Sequence, residues 1–130
     1  MTEEKKIQSE GLLKTCAELR KEHDLLVFIC AVDYPDRNVI EIIYYLRSLK
    51  TRNEFKLRTE VPRKNAKIDS VCGVWSAANW HERELFDLFG IEFAGHPDMR
   101  RVLLPEDWEG YPLLKDYQRP GVMIKPETVK

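Results

Sequence analysis

Two apolar runs flanking a short turn constrain this chain most. Residues 25–32 (LLVFICAV) and 38–49 are rich in β-branched and aromatic side chains, and Asp33-Tyr34-Pro35-Asp36 lies between them. Runs of this length bounded by turn formers read as strands, and the short connection makes them a hairpin. The first run is unbroken by polar residues, which predicts a strand buried on both faces. A third strand is predicted over Glu54–Val61, where Phe55, Leu57, Thr59 and Val61 alternate with Lys56, Arg58 and Glu60. That period of two turns one face inward and the other to water. Pro62 ends it, having no N–H for a ladder.

Helical spacing brackets these strands. Ile7, Leu12, Leu13, Cys16, Ala17 and Leu19 predict an amphipathic helix within residues 5–22, with Ser9 as its cap. Residues 63–69 read as a basic loop. Ser70–Phe89 reads as a second helix through Trp75, Ala78, Leu85, Leu88 and Phe89, and Gly90 stands where a left-handed residue would stop it. Strands grouped together with helices before and after define an α+β fold rather than a β-α-β-α winding. This core is assigned to residues 1–94. Residues 95–130 differ in texture, since five of the seven prolines fall at 97, 105, 112, 120 and 126. No long helix fits between them. The same segment holds Leu103, Leu104, Trp108, Tyr111, Leu113 and Tyr117, residues in which disordered tails are poor. An extended C-terminal docking arm, covered by a partner, accounts for both properties.

Composition narrows the function classes. A formal net charge of −1 gives no general attraction to nucleic acid or anionic lipid. Arg100, Arg101, Lys115 and Arg119 are interleaved with Glu106, Asp107, Glu109 and Asp116, so they form no single-sign patch. No apolar run approaches the roughly 20 residues of a spanning helix. The charged N-terminus lacks the apolar centre of a signal peptide. A cytosol-side location is expected, with any membrane association made through partners. Cys16, Cys30 and Cys72 are far apart, and His23, His81 and His96 add no ligand spacing, so neither a metal nor an iron–sulfur cluster is expected in this chain. The glycines match no nucleotide-binding spacing.

The sharpest local feature is Trp80-His81-Glu82-Arg83-Glu84-Leu85-Phe86-Asp87-Leu88-Phe89-Gly90. Helix geometry puts Glu82 beside the apolar face, four residues after Ala78 and three before Leu85. A carboxylate there costs several kcal/mol (about 3–5) if left without a partner. A clamp of Glu82, Arg83 and Asp87 with Arg100 and Arg101 would supply one, tying helix to arm. A solvated charged helix end is the competing reading. Zinc-protease chemistry fails because the second histidine of H-E-x-x-H would fall at Leu85. Acid–base chemistry fails because Glu82 and Glu84 point to different faces.

Residues 78–93 (ANWHERELFDLFGIEF), followed by Gly95-His96-Pro97, Arg100-Arg101-Val102-Leu103-Leu104-Pro105, Asp107–Leu113 and Lys115-Asp116-Tyr117, resemble the respiratory-chain NADH dehydrogenase 30 kDa subunit family of bacterial complex I. Weaker similarity reaches back to Leu25–Asp33. One departure stands out: Leu114 occupies the place where that family usually carries Arg, which alters one ion pair of the arm. The resemblance implies an α+β domain with a small mixed or antiparallel sheet flanked by helices, serving as a structural subunit of the peripheral arm of a complex I-type NADH:quinone oxidoreductase. It implies docking on the 49 kDa-type, hydrogenase-large-subunit-like partner near the quinone site, and contact with other peripheral-arm subunits. It implies no cofactor in this chain, flavin and iron–sulfur clusters residing in partner subunits. It places the chain on the cytoplasmic side of the cell membrane, peripherally. The implied interface comprises Glu82, Arg83, Asp87, Arg100, Arg101, Trp108, Tyr111, Lys115, Asp116 and Tyr117. The equivalent subunit of a membrane-bound energy-converting nickel–iron hydrogenase resembles this family closely and is the alternative; a free-standing adaptor is the third reading.

Overall fold

A computed structural model describes residues 2–97 and 111–114. The hairpin forms as its sequence predicts. Strand β2 (Leu25–Tyr34) turns through residues 35–38 into β3 (Val39–Arg47), which pairs antiparallel with β4 (Glu54–Pro62). Asn38 takes the left-handed conformation at the end of the turn, φ 58°, which Asn tolerates better than most residues. In β4 the expected alternation holds throughout: Phe55, Leu57, Thr59 and Val61 are buried and their neighbours are not.

Three sequence expectations need correction. The first concerns the N-terminal helix. Thr2–Lys6 is a strand, β1, parallel to β4, so that the sheet order is β1-β4-β3-β2. A 3₁₀ turn over Ser9–Gly11 precedes helix α1 (Leu12–Arg20), and Ser9 makes no side-chain cap. A run of Glu and Lys has no apolar face, yet an edge strand needs only its backbone, and charges there discourage further pairing. Of the expected apolar face of α1, Leu12 and Cys16 are buried and Leu19 is partly so, but Leu13 is exposed.

The second correction concerns β2. It is an edge strand rather than one buried on both faces. A bulge between Leu26 and Phe28 puts two consecutive apolar side chains outside, Val27 at 42% and Phe28 at 39% exposure. Phe28 stacks on Tyr45 of β3 with ring centroids 4.2 Å apart.

The third concerns residues 63–77. Lys67–Asp69 is a short strand, β5, and the second helix, α2, begins only at Ala78 and runs to Phe89. The intervening residues 70–77 form turns, with the Val74 and Trp75 amides both bonding the Val71 carbonyl. A last strand, β6 (Glu92–Ala94), pairs parallel with β5 as a separate two-stranded sheet. The central strand β3 supplies the largest share of the core through Ile40, Ile42, Tyr44 and Leu46. Leu57 and Val61 of β4, Leu12 and Cys16 of α1, and Ala78, Leu85 and Phe89 of α2 join them in one cluster. The Trp75 indole N–H donates to the His23 carbonyl at 3.1 Å, and the Arg20 guanidinium donates to the Val74 carbonyl. Both bonds fasten the end of α1 to the turns leading into α2. The result is an α+β fold, as expected, with a mixed sheet.

Candidate partner interface and the buried carboxylate of the second helix

Helix α2 places Ala78, Glu82, Leu85 and Phe89 on its buried side, at the i, i+4, i+7, i+11 spacing of one helical stripe. Glu82 therefore enters the core with its neighbours, fully buried. The residues that satisfy it come from the turn between β5 and α2. The Ser70 hydroxyl donates to Oε1 at 2.6 Å, the Val71 amide to Oε2 at 2.8 Å, and the Cys72 thiol to Oε1 at 3.3 Å. The Cys72 amide in turn donates to Ser70 Oγ at 3.2 Å. Beyond them, His96 Nε2 lies 4.0 Å from Oε1, its side chain also wholly enclosed. That nitrogen bonds the Asn79 carbonyl at 3.1 Å, across from the first turn of α2.

Burial raises the Glu82 carboxyl above its ordinary range, opposed first by the Ser70 and Val71 hydrogen bonds and then by Cys72 and His96. Its field spreads. Burial and then Glu82 push the Cys16 thiol up to about 12, and burial with a contribution from Glu82 pushes Cys72 up to about 11. The Tyr44 phenol is raised as well, again by burial before Glu82. Neither cysteine is thus an activated nucleophile. The arrangement does positional work: a carboxylate on α2 gathers the 70–72 turn around itself and brings His96, just after β6, against the same helix.

The solvated-helix reading is set aside for Glu82 and Asp87, both fully buried. Arg83 is half-buried, with its guanidinium 5.9 Å from the centroid of the exposed Trp80 ring. Tyr111 lies against the C-terminal end of α2, its ring 6.4 Å from that of Phe86. Gly90 lets it do so. The glycine is left-handed, φ 79°, as the sequence predicts, and a Cβ there would meet the Tyr111 ring at 2.7 Å. The Leu113 amide donates to the Leu88 carbonyl at 2.9 Å, capping a helix-end acceptor. Leu114, the departure noted in the sequence, packs partly buried against the hydrophobic core. Arg100, Arg101, Trp108, Lys115, Asp116 and Tyr117 lie outside the described residues.

Sequence reading missed Ser70, Val71, Cys72 and His96 as companions of Glu82. A paired carboxylate on an apolar stripe signals that partners exist, but nothing in the spacing says which turn supplies them. It also missed Trp80 as an exposed aromatic, having placed it only within the motif.

Fold and polar cluster together define a small α+β domain whose charged helix is bonded internally and whose residues 111–114 lie against that helix's end. The family described as "Respiratory-chain NADH dehydrogenase, 30 Kd subunit" matches residues 5–122, and the chain belongs to it. It is 38% identical over 92% of its length to an NADH-quinone oxidoreductase subunit of Geotalea uraniireducens (strain Rf4), of which it covers 75%. It is 43% identical over 85% of its length to the subunit of the same name in Roseiflexus sp. (strain RS-1), of which it covers 66%. Among solved structures, the trypsin-resistant fragment (1–134) of Nqo5 superposes with a TM-score of 0.67 at 30% identity, over 73% of this chain and 80% of that one. A chain of the membrane-bound sulfane sulfur reductase, an archaeal respiratory membrane complex, superposes with a TM-score of 0.83 at 25% identity, over 91% of this chain and 73% of that one. Among the described residues no helix is long and apolar enough to cross a membrane.

Proposed function

We propose that this chain is a non-catalytic structural subunit of the peripheral arm of a complex I-type NADH:quinone oxidoreductase. It holds the 49 kDa-type subunit near the quinone site, through the end of α2 and the arm of residues 95–130, on the cytoplasmic side of the membrane. It carries no flavin, nucleotide or iron–sulfur cluster; those belong to its partners. The observation that carries this reading is the family match across residues 5–122, together with relatives named as NADH-quinone oxidoreductase subunits. The internal bonding of Glu82 supports it, because a carboxylate occupied by Ser70, Val71 and Cys72 faces no substrate.

A second reading has its own support. The likeness to a chain of the archaeal sulfane sulfur reductase, a respiratory membrane complex, favours a subunit of a membrane-bound complex other than complex I. The equivalent subunit of a membrane-bound energy-converting nickel–iron hydrogenase is the form of it that the sequence resemblance suggests. Purifying the native assembly through a tag on this chain separates the two. NADH-dependent quinone reduction with a co-purifying large subunit supports the first reading, and hydrogen evolution supports the second. A monodisperse monomer that brings down no companion protein contradicts both.

A further inference from the structure

We propose that Cys72, Glu82 and His96 form a binding site for a zinc-class divalent ion. Sequence spacing hides this set, since the three residues come from different segments: the turn before α2, α2 itself, and the chain just after β6. The fold brings one donor atom of each within 4.8 Å of the others. Thiolate, carboxylate and imidazole together are a donor set that suits zinc.

One of the three donor-to-donor distances already suits such an ion, and the other two shorten with a single side-chain movement. Cys72 Sγ is 3.3 Å and His96 Nε2 is 4.0 Å from Glu82 Oε1. Bonds of the usual zinc length, arranged tetrahedrally, set ligand atoms about 3.3–3.7 Å apart. Only the His96 ring has to draw inward. It exchanges its Nε2–H bond to the Asn79 carbonyl for the metal bond, and the ring proton moves to Nδ1. Cys72 releases its thiol proton to solvent. The remaining orientation is already in place, with the Val71 amide holding Oε2 and the Ser70 hydroxyl holding Oε1. Such outer hydrogen bonds are what fix carboxylate ligands in metal sites. A water completes the four-coordinate shell.

Charge favours the same conclusion. A buried carboxylate held by three neutral donors, with only the His96 imidazole 4.0 Å away besides, still bears a desolvation cost. One divalent cation with one thiolate and one carboxylate is neutral, so the ion removes that cost. Cys72 is only partly buried, whereas the Glu82 and His96 side chains are enclosed, so the thiol side is the route of entry. Bound there, the ion would staple the turn before α2 and the first residues of the arm to one helix.

The test uses the full chain, stripped with chelator and titrated with cobalt(II). The expected result is a one-to-one rise of a thiolate-to-cobalt charge-transfer band with the intense visible bands of a four-coordinate ion, both displaced by zinc. Cys72→Ser keeps a hydroxyl donor to Glu82 and should remove the charge-transfer band, while Cys16→Ser and Cys30→Ser should leave it. His96→Gln should weaken cobalt binding by about tenfold or more. As a second readout, zinc should raise the melting temperature of the parent chain and not that of Cys72→Ser. No band at excess cobalt, or a band that survives Cys72→Ser, overturns the proposal. Neither readout depends on assembly of a larger complex, so the site can fail while the proposed place in a respiratory assembly stands.

Discussion

Two charged stretches of this chain look alike in sequence and behave oppositely in the fold. Glu3-Glu4-Lys5-Lys6 lies on the edge strand β1, where Glu4 meets Arg58 at 2.7 Å and Lys6 meets Glu60 at 3.1 Å. Most of those side chains keep substantial contact with water, and such pairs contribute roughly 0–1 kcal/mol. His81-Glu82-Arg83-Glu84 lies on α2, where helical spacing carries one of its carboxylates wholly inside. The same residue type is thus replaceable trim in one place and the centre of a buried network in the other. Backbone periodicity, not charge content, decides between them.

The largest test of that contrast is Glu82→Ala. It strips the acceptor from the Ser70 hydroxyl and the Val71 amide inside the core, so stability should fall by about 2–4 kcal/mol in chemical denaturation. A loss no larger than that of Glu4→Ala would break the comparison.

Gly90→Ala comes next. The left-handed backbone and the Tyr111 ring both oppose a Cβ, and a loss of about 2 kcal/mol is expected. Repeating the change in a Tyr111→Ala background should recover the part due to the ring, read from a double-mutant cycle. Strict additivity of the two changes would show that Tyr111 does not rest on the helix end.

The smallest expected effect belongs to the edge. Glu60 has its carboxyl lowered below 4.5, first by the Lys6 hydrogen bond, with Arg37 adding to it. A lowered folded-state value means the contribution is present above the unfolded value and fades as pH falls through the folded one. Glu60→Gln should therefore lower stability slightly at neutral pH, by no more than about 1 kcal/mol, and its difference from the parent should vanish as pH falls below 4.5. A large change at neutral pH would mean that the edge pairs matter as much as the buried network.

What could be read from the sequence follows the same physical division. The hairpin, β4 and the Gly90 stop were legible because alternation, turn formers and a glycine each leave a local mark. β1 was not, because an edge strand held by backbone pairing needs no apolar pattern. β5 and β6, at three residues each, are too short to show a period. Burial of a carboxylate was readable from the position of Glu82 beside Ala78 and Leu85, but its partners Ser70, Val71 and Cys72 were not. Their approach depends on where the turn after β5 passes, which no spacing encodes. The return of Tyr111 to Gly90 is non-local in the same way.

The central proposal is that the charged helix α2 positions subunits and performs no chemistry. The most direct measurement is the yield of purified complex carrying Glu82→Ala, alongside its quinone-reducing turnover per assembled copy. The account predicts less assembled complex with unchanged turnover in each assembled copy. Normal assembly with turnover abolished would contradict it and make Glu82 a participant in the reaction.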